Sequence, residues 1–347
     1  MSATDSRLEM KKRNKFFRMT DAKAFYILIA PFIAMFLFIR VFPFVWGMYM
    51  SMTNFSGFNQ PSFVGFENYM NLFRLITESG TRENIALMST LAIAAVQVPL
   101  TMFVGLGLAL LLNQNIKGDG FFRTVYYIPS IIPGVVAVLM WRILLNQNGG
   151  LINIIIDFFR YTGYDHVPIN WFDFDNIRSA LYFILAWTAG AGVLTYLAAL
   201  KNVPLELYES AAIDGAGAWR RFYRITLPML TPVIFFNLIN AFIAGFQIFG
   251  QPVMLAGFGG GVLTGQPDRP IYTYVVHIFQ EIFVRRRFGY GLAMTWVLFF
   301  GSIIVTRVIF WSSKFWVFYE TDTSGGKKKK KRKRKEKNEE GAVLNGR

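Results

Sequence analysis

Residues 204–232 read PLELYESAAIDGAGAWRRFYRITLPMLTP. Glu206 to Ile213 are good helix formers. Gly215 and Gly217 then permit backbone turns closed to other residues. Ala218 to Leu227 resumes a basic, amphipathic stretch, and Pro228 and Pro232 suit the start of a further helix. The pattern predicts a helix, a break and a second helix. Taken alone, it admits two readings. One is a surface loop with an interfacial basic helix. The other is a docking element for a partner, since small residues let helices approach closely.

The surroundings of this stretch are apolar. The 347 residues are 54% hydrophobic, 17% aromatic and 16% charged, with mean hydropathy +0.37. Globular proteins carry roughly 25% charged residues. A soluble chain of this length would make two domains, but this composition points away from solubility, and disorder of the body is excluded by its hydrophobicity. The absence of cysteine excludes disulfides, thiolate zinc sites and cysteine nucleophiles. His166 and His277 are the only histidines, which argues against a histidine metal cluster. An integral membrane protein is the class left.

The charge is concentrated at the ends. Of the net +15, residues 321–347 hold +7 and residues 1–23 hold +4. Between these basic tails, residues 24–320 form the membrane body. Six segments reach the ~20 apolar residues a membrane helix needs: near 25–49, 86–112, 124–145, 179–200, 229–256 and 290–313. The first follows Lys11, Lys12, Arg13, Lys15, Arg18 and Lys23. Its apolar run is too long for a signal peptide and no small-residue cleavage site follows. Basic residues mark the cytoplasmic side. Both tails are therefore expected inside, together with the 113–123 loop (Lys117, Arg123) and the 201–228 loop (Lys201, Arg220, Arg221, Arg224). Arg285, Arg286 and Arg287 break the rule, since their loop should be external. Turn signals such as Phe58-Asn59-Gln60-Pro61 and Gly257–Gly261 punctuate the external loops. Residues 151–160 read as a short amphipathic helix.

Catalytic motifs are missing. The sequence has no G-x-x-x-x-G-K-[ST] phosphate loop, no G-x-S-x-G and no H-E-x-x-H. Gly325-Gly326-Lys327 is a glycine pair before a lysine run. The chain is expected not to be an enzyme on its own.

A resemblance then sharpens the reading. Glu209-Ser210-Ala211-Ala212, followed by Asp214-Gly215-Ala216 and Ile225-Thr226-Leu227-Pro228, resembles the EAA motif. That motif belongs to permease subunits of binding-protein-dependent ATP-binding-cassette (ABC) importers. Phe121 to Pro129, Trp141-Arg142, Gly149 to Asn153, Ser51 to Phe55, Phe63 to Tyr69, Gly289 to Gly291 and Trp316 to Glu320 resemble the sugar branch of the same family. The similarity covers roughly residues 24–320. It is closer to the six-span lactose and glycerol-phosphate types than to the maltose F subunit, whose large external insertion is lacking.

The resemblance implies an all-α, type I ABC importer permease with six transmembrane helices and both termini cytoplasmic. It implies a heterodimer with a second permease, two cytoplasmic ATPase subunits that bind ATP and magnesium, and an extracytoplasmic solute-binding protein. It implies no cofactor in this chain, no nucleic acid, and residence in a bacterial or archaeal cytoplasmic membrane. The loop would be the coupling helix seated in the ATPase. Glu209 would pair with a basic residue there, Ala211 and Ala212 would pack closely, and Gly215 would make the bend, with Ser210 and Asp214 completing the motif. Arg220, Arg221 and Arg224 would touch the ATPase or lie against lipid phosphates.

The solute path is sought in two spans. At 100° per residue, Asn237, Asn240, Gln247 and Gln251 fall at about 60°, 0°, −20° and 20°, which is one helix face. Amides in a membrane helix need protein or water partners. They serve either as interhelical hydrogen bonds or as the lining of a path whose donors and acceptors suit sugar hydroxyls. In span four Trp187 and Thr188 are candidate lining residues, while Gly190 and Gly192 read first as close helix contacts. The Lys327–Lys335 run reads as a solvated tail or as a contact for anionic membrane lipid.

The leading expectation is a transmembrane subunit of an importer for a carbohydrate, an oligosaccharide or related glycoside. The alternatives are the same machinery for a non-sugar solute, an ion-coupled secondary transporter and a scaffold. The second of these favours ionisable residues deep in its spans, and the six spans lack buried Asp or Glu. Arg40, Arg142 and Arg307 lie toward span ends and can snorkel.

Overall fold

A computed structural model describes residues 21–114, 118–159, 168–256 and 270–318. The two basic tails and Gly257–Gly261 lie outside the described residues. Within them the chain is helical, with one isolated bridge, Thr53 to Phe63, and no strand. Four helices are long and apolar enough to cross a membrane: α1 Phe25–Ser51, α3 Arg82–Leu112, α10 Ala218–Phe246 and α13 Phe288–Trp316. The others are α2 Glu67–Thr77, α4 Asp119–Ile131, α5 Gly134–Leu144, α6 Leu151–Phe159, α7 Ile177–Trp187, α8 Gly190–Lys201, α9 Leu205–Ile213, α11 Gly250–Ala256 and α12 Tyr274–Val284. The chain divides into two compact units, residues 1–81 with 278–298, and residues 82–277 with 299–347.

In the first unit α1 exposes its apolar side chains along its length, as a lipid-facing helix does. It widens into a π-turn over Leu37–Val41, two residues before Pro43. The same spacing recurs in α10, with a π-turn over Phe222–Thr226 and Pro228 two residues on. Proline lacks the N–H for an i→i−4 bond and its ring crowds that carbonyl. A wider turn relieves the crowding without breaking the helix.

The end of α1 is tied to its neighbours through backbone oxygens. Asn68 donates Nδ2 to the carbonyls of Ser51 and Thr53, both at 2.9 Å. The Gly289 N–H donates to Phe55 O at 2.9 Å. Phe44 packs edge-on against Trp296 with centroids 4.6 Å apart.

The Arg285–Arg287 triplet is held by local contacts. The side chain of Glu281 is wholly buried and accepts from both Arg285 and Arg287, the latter at 3.2 Å. Arg286 lies over the Phe58 ring and Arg287 over the Tyr290 ring, 5.0 and 4.2 Å from the centroids. Glu281 pairs with two of the three arginines, so the segment keeps a net positive charge while its side chains are clamped in place. Replacing Glu281 by glutamine is expected to destabilise the protein by about 2 kcal/mol, below the full 3–5 kcal/mol of a buried broken pair because both arginines are partly exposed. A thermal-unfolding comparison in detergent checks it; an unchanged Tm would refute the clamp.

In the second unit α3 packs against α7, α8 and α10. Close approach is made by glycine. A Cβ on Gly190 would sit 2.3 Å from the Tyr126 carbonyl oxygen, so α8 meets α4 through backbone. This agrees with the packing reading of Gly190. Asn153 organises the segment after α5. Its Nδ2 donates to the carbonyls of Asn146, Gln147 and Ile169 at 3.0–3.3 Å, and its Oδ1 accepts from Trp171 Nε1 at 3.0 Å. A core of Ile93, Val138, Leu145, Ile177, Leu181 and Ile184 closes around this region. Helix α6 matches the expected amphipathic segment, ending at Phe159.

Three spans differ from expectation. The 124–145 segment is two helices, α4 and α5, meeting at 106° across Ile132 and Pro133. Pro133 holds Ile132 in an extended conformation with ψ 126°, the usual effect of proline on its predecessor. The 179–200 segment bends by 42° between α7 and α8. The 229–256 segment ends as a helix at Phe246, and α11 begins only at Gly250.

Candidate functional site: an exposed loop and a polar cavity

The loop quoted at the outset starts with Pro204 outside α9, where ψ is 129°. It stops in a Schellman cap. The Ala216 N–H donates to Ala211 O at 2.9 Å and the Gly215 N–H to Ala212 O at 3.1 Å, satisfying carbonyls that a helix end would orphan. The cap requires a left-handed residue, and Gly215 has φ +72° with open space beside it. Gly217 then opens the next helix. The expected second short helix is not separate, because Ala218 begins α10, which runs without interruption to Phe246. At 1.5 Å per residue these 29 residues make one rod about 43 Å long. Tyr208 OH bonds Thr226 Oγ1 at 2.8 Å and fixes α9 against that rod.

The outer face of the loop is bare. Glu209, Ser210, Ala212, Asp214 and Gly215 are exposed and Ala211 is half-buried. Ile213 is 88% exposed and Trp219 73%, with Leu205 beside them at 68%. Sequence reading passed over these three apolar side chains because they sit in no motif position. Their exposure on a polar loop is the signal. Tyr208→Phe is expected to lower stability by about 1 kcal/mol through loss of one partly buried hydrogen bond, read as a small drop in Tm with the loop still able to dock.

A cavity of about 460 Å³ lies within the second unit. Its wall includes Gln97 and Thr101 from α3, Thr188 between α7 and α8, Tyr196 from α8, Asn237 and Asn240 from α10 and Gln251 from α11. Four of the six expected lining residues are therefore brought together: Thr188, Asn237, Asn240 and Gln251. Gln247 and Trp187 are not among them. Gln247 stands exposed at the end of α10, where the helical wheel used to place it no longer applies. Trp187 packs edge-on against Trp141 at 6.0 Å. Gln97 and Thr101 were missed because each stands among apolar residues of α3, whereas Tyr196 belongs to the polar and aromatic set that span four offers. The structure joins them.

The wall's hydrogen bonds are specific. Asn240 donates Nδ2 to Phe236 O at 2.8 Å, and Asn237 donates Nδ2 to Val233 O at 3.0 Å. Thr101 donates to Gln97 O at 2.9 Å and Thr188 to Ile184 O at 3.1 Å. Gln97 Oε1 and the Tyr196 hydroxyl are buried with no partner among the described residues.

Residues 97–316 match the family of binding-protein-dependent transport system inner membrane components. The chain belongs to that family. It is a multi-pass membrane protein. Both the loop and the cavity fall inside the matched region. Similar proteins include a probable ABC transporter permease protein, YesP, of Bacillus subtilis, 35% identical over 305 residues, covering 87% of this chain and 94% of YesP. The probable starch degradation products transport system permease protein AmyD of Thermoanaerobacterium thermosulfurigenes is 27% identical over 306 residues, covering 86% and 96%. Among solved structures, a bacterial ABC transporter involved in the import of the acidic polysaccharide alginate aligns with TM-score 0.66 at 21% identity, covering 89% of this chain and 98% of that one. That likeness bears on the fold: an ABC permease architecture.

Proposed function

We propose that this inner-membrane component is one of two permease subunits of an ATP-driven importer that passes a carbohydrate, delivered by an extracytoplasmic binding protein, into the cell. The carrying observation is the exposed loop Leu205–Trp219 at the end of a rod that reaches the polar cavity. The names of relatives such as the starch-product permease support a carbohydrate. Counting each bent pair as one crossing gives six spans, and the basic tails favour cytoplasmic ends. On this reading the loop faces the cytoplasm.

The proposed mechanism follows from continuity. An ATPase dimer that closes on ATP would carry the loop with it. Glu209 would pair with a basic group, and Ala211 and Ala212 would allow close packing. Tyr208 would hold α9 to α10, so displacement of the loop would move the whole rod and with it Asn237 and Asn240. The solute would bind one state of the cavity better than the other, as a two-state switch requires. ATP and its magnesium belong to the partner.

The test is purification of the wild-type chain in mild detergent from its host, followed by reconstitution. A second permease and an ATPase are expected to co-purify, and uptake into liposomes is expected to need ATP and the binding protein. Solute uptake by this chain alone, driven by an ion gradient, would replace the importer reading with a secondary transporter.

A further inference from the structure

We infer that the groove where α5 meets α6 holds an anionic phospholipid, its phosphate set against Arg142. This is a second site, apart from the polar cavity, and it goes beyond the importer reading. A cavity of about 690 Å³ lies there, with Leu139, Arg142 and Ile143 of α5, Asn146 and Asn148 of the turn that follows, and Phe172 in its wall.

The groove offers charge and donors. Arg142 is half-buried and makes no ion pair among the described residues. Its guanidinium lies over the Phe172 ring, 5.9 Å from the centroid, a contact that spends none of its five N–H donors. Asn146 is exposed, and its Oδ1 accepts from the Asn148 N–H at 2.9 Å. That bond fixes the carboxamide, so Nδ2 is the amide atom left over. No carboxylate is among the residues lining the groove. A full positive charge with N–H donors beside it suits an anionic oxygen, and arginine takes a phosphate with two parallel bonds.

The surroundings favour a lipid over a soluble anion. Val135, Leu139 and Ile143 make an exposed apolar row along α5, and Ile143 at its end is 73% exposed. Helix α6 turns Ile152, Asn153 and Ile156 toward the core and leaves Leu151, Ile154 and Phe158 bare on its other face. Exposed apolar rows of this kind are the surface a bilayer covers. Arg142 is therefore a cation set between two lipid-facing rows. An ionisable side chain at such a place is costly without a partner. A headgroup phosphate supplies the partner while its acyl chains lie on the rows. A soluble anion would satisfy the arginine and leave the rows bare. On the orientation proposed above the groove opens to the outer leaflet, so the positive-inside rule gives no other reason for this arginine.

The experiment uses the full chain, purified from its host in mild detergent with whatever subunits accompany it and then delipidated. Native mass spectrometry counts bound lipid as phosphatidylglycerol or phosphatidylcholine is added back. Wild type is expected to prefer phosphatidylglycerol by about fivefold, the worth of one basic contact. Arg142→Gln should lose that preference, and Arg142→Lys, which keeps the charge, should retain part of it. Asn146→Asp keeps the acceptor for Asn148 but replaces Nδ2 by an anionic oxygen, and should lose the preference as well. Arg307→Gln, at an exposed arginine that does not line the groove, should leave it unchanged. An equal preference in wild type, Arg142→Gln and Asn146→Asp would overturn the inference. Displacement of the lipid by glycerol phosphate at equal concentration would assign Arg142 to a soluble anion and overturn it too. If Arg142→Gln releases an accompanying subunit while the lipid count stays the same, the groove is a protein contact and the inference falls. None of these results touches the importer reading, which ATP-dependent uptake decides.

Discussion

Gly215→Pro is expected to abolish recovery of the ATPase with the permease, a loss of at least tenfold in co-purified protein. Proline fixes φ near −65°, whereas residue 215 stands at +72°. Proline also has no N–H for Ala212 O, so one of the two bonds of the Schellman cap vanishes. Helix α9 would fray or run on, and Glu209, Ala211 and Ala212 would leave the surface they form together. Gly215→Asn separates this from general misfolding. Asparagine tolerates the left-handed region, so it should retain most of the ATPase. Gly217→Ala, at φ −65° with open space beside it, should be near wild type. Glu209→Lys leaves the backbone intact and reverses one charge; it is expected to lose the ATPase without lowering Tm. Ile213→Asp should behave likewise, because an 88% exposed isoleucine has nothing in this chain to stabilise. If Gly215→Pro, Glu209→Lys and Ile213→Asp all retain the ATPase, the loop is not where it docks.

The second large effect concerns stability. Gly289→Ala places a Cβ 2.0 Å from the Thr53 carbonyl oxygen and 3.3 Å from that of Met50. Neither oxygen is free to retreat. Thr53 O accepts from Asn68, and Met50 O accepts from the Thr53 hydroxyl at 2.8 Å and from its N–H at 3.1 Å. The overlap is with backbone and cannot be relieved by a rotamer change. The expected cost is at or above the upper end of overpacking penalties, about 3 kcal/mol. It should appear as a markedly lower Tm in detergent and a reduced yield of monodisperse protein. Gly301→Ala, on the same helix with nothing within 4 Å, is the control. It should be neutral or slightly stabilising, since alanine is the better helix former by roughly 0.5–1 kcal/mol. Equal Tm values for the two variants would refute the contact.

Local chemistry made part of this protein readable in one dimension. Helix formers from Glu206 to Ile213 ending at Gly215 specify a capped helix wherever they occur, and α9 has those bounds within a residue. Length and hydropathy suffice for α1, α3 and α13, because a membrane helix satisfies its own backbone. The amphipathic spacing of residues 151–159, with Asn153 and Asp157 one helical turn apart, was equally visible.

Other features depended on partners distant in sequence. Pro129 and Pro133 sit in the same apolar run, yet Pro129 stays inside α4 while Pro133 begins a 106° turn. Which proline breaks the helix depends on where α4 is held, and Gly190 meeting Tyr126 O is part of that support. The helical wheel placed Gln247 on the lining face because it assumed a helix that stops at Phe246. Gln251 reaches the cavity by a different route, from α11 after a break. The three arginines before α13 read as misplaced charge until Glu281, Phe58 and Tyr290 came beside them. Sequence by itself determined what each segment can be: its helicity, its caps and its affinity for lipid. Only the tertiary structure decided which polar side chains share one cavity wall, because that wall joins helices whose residues, from Gln97 to Gln251, stand about 150 positions apart.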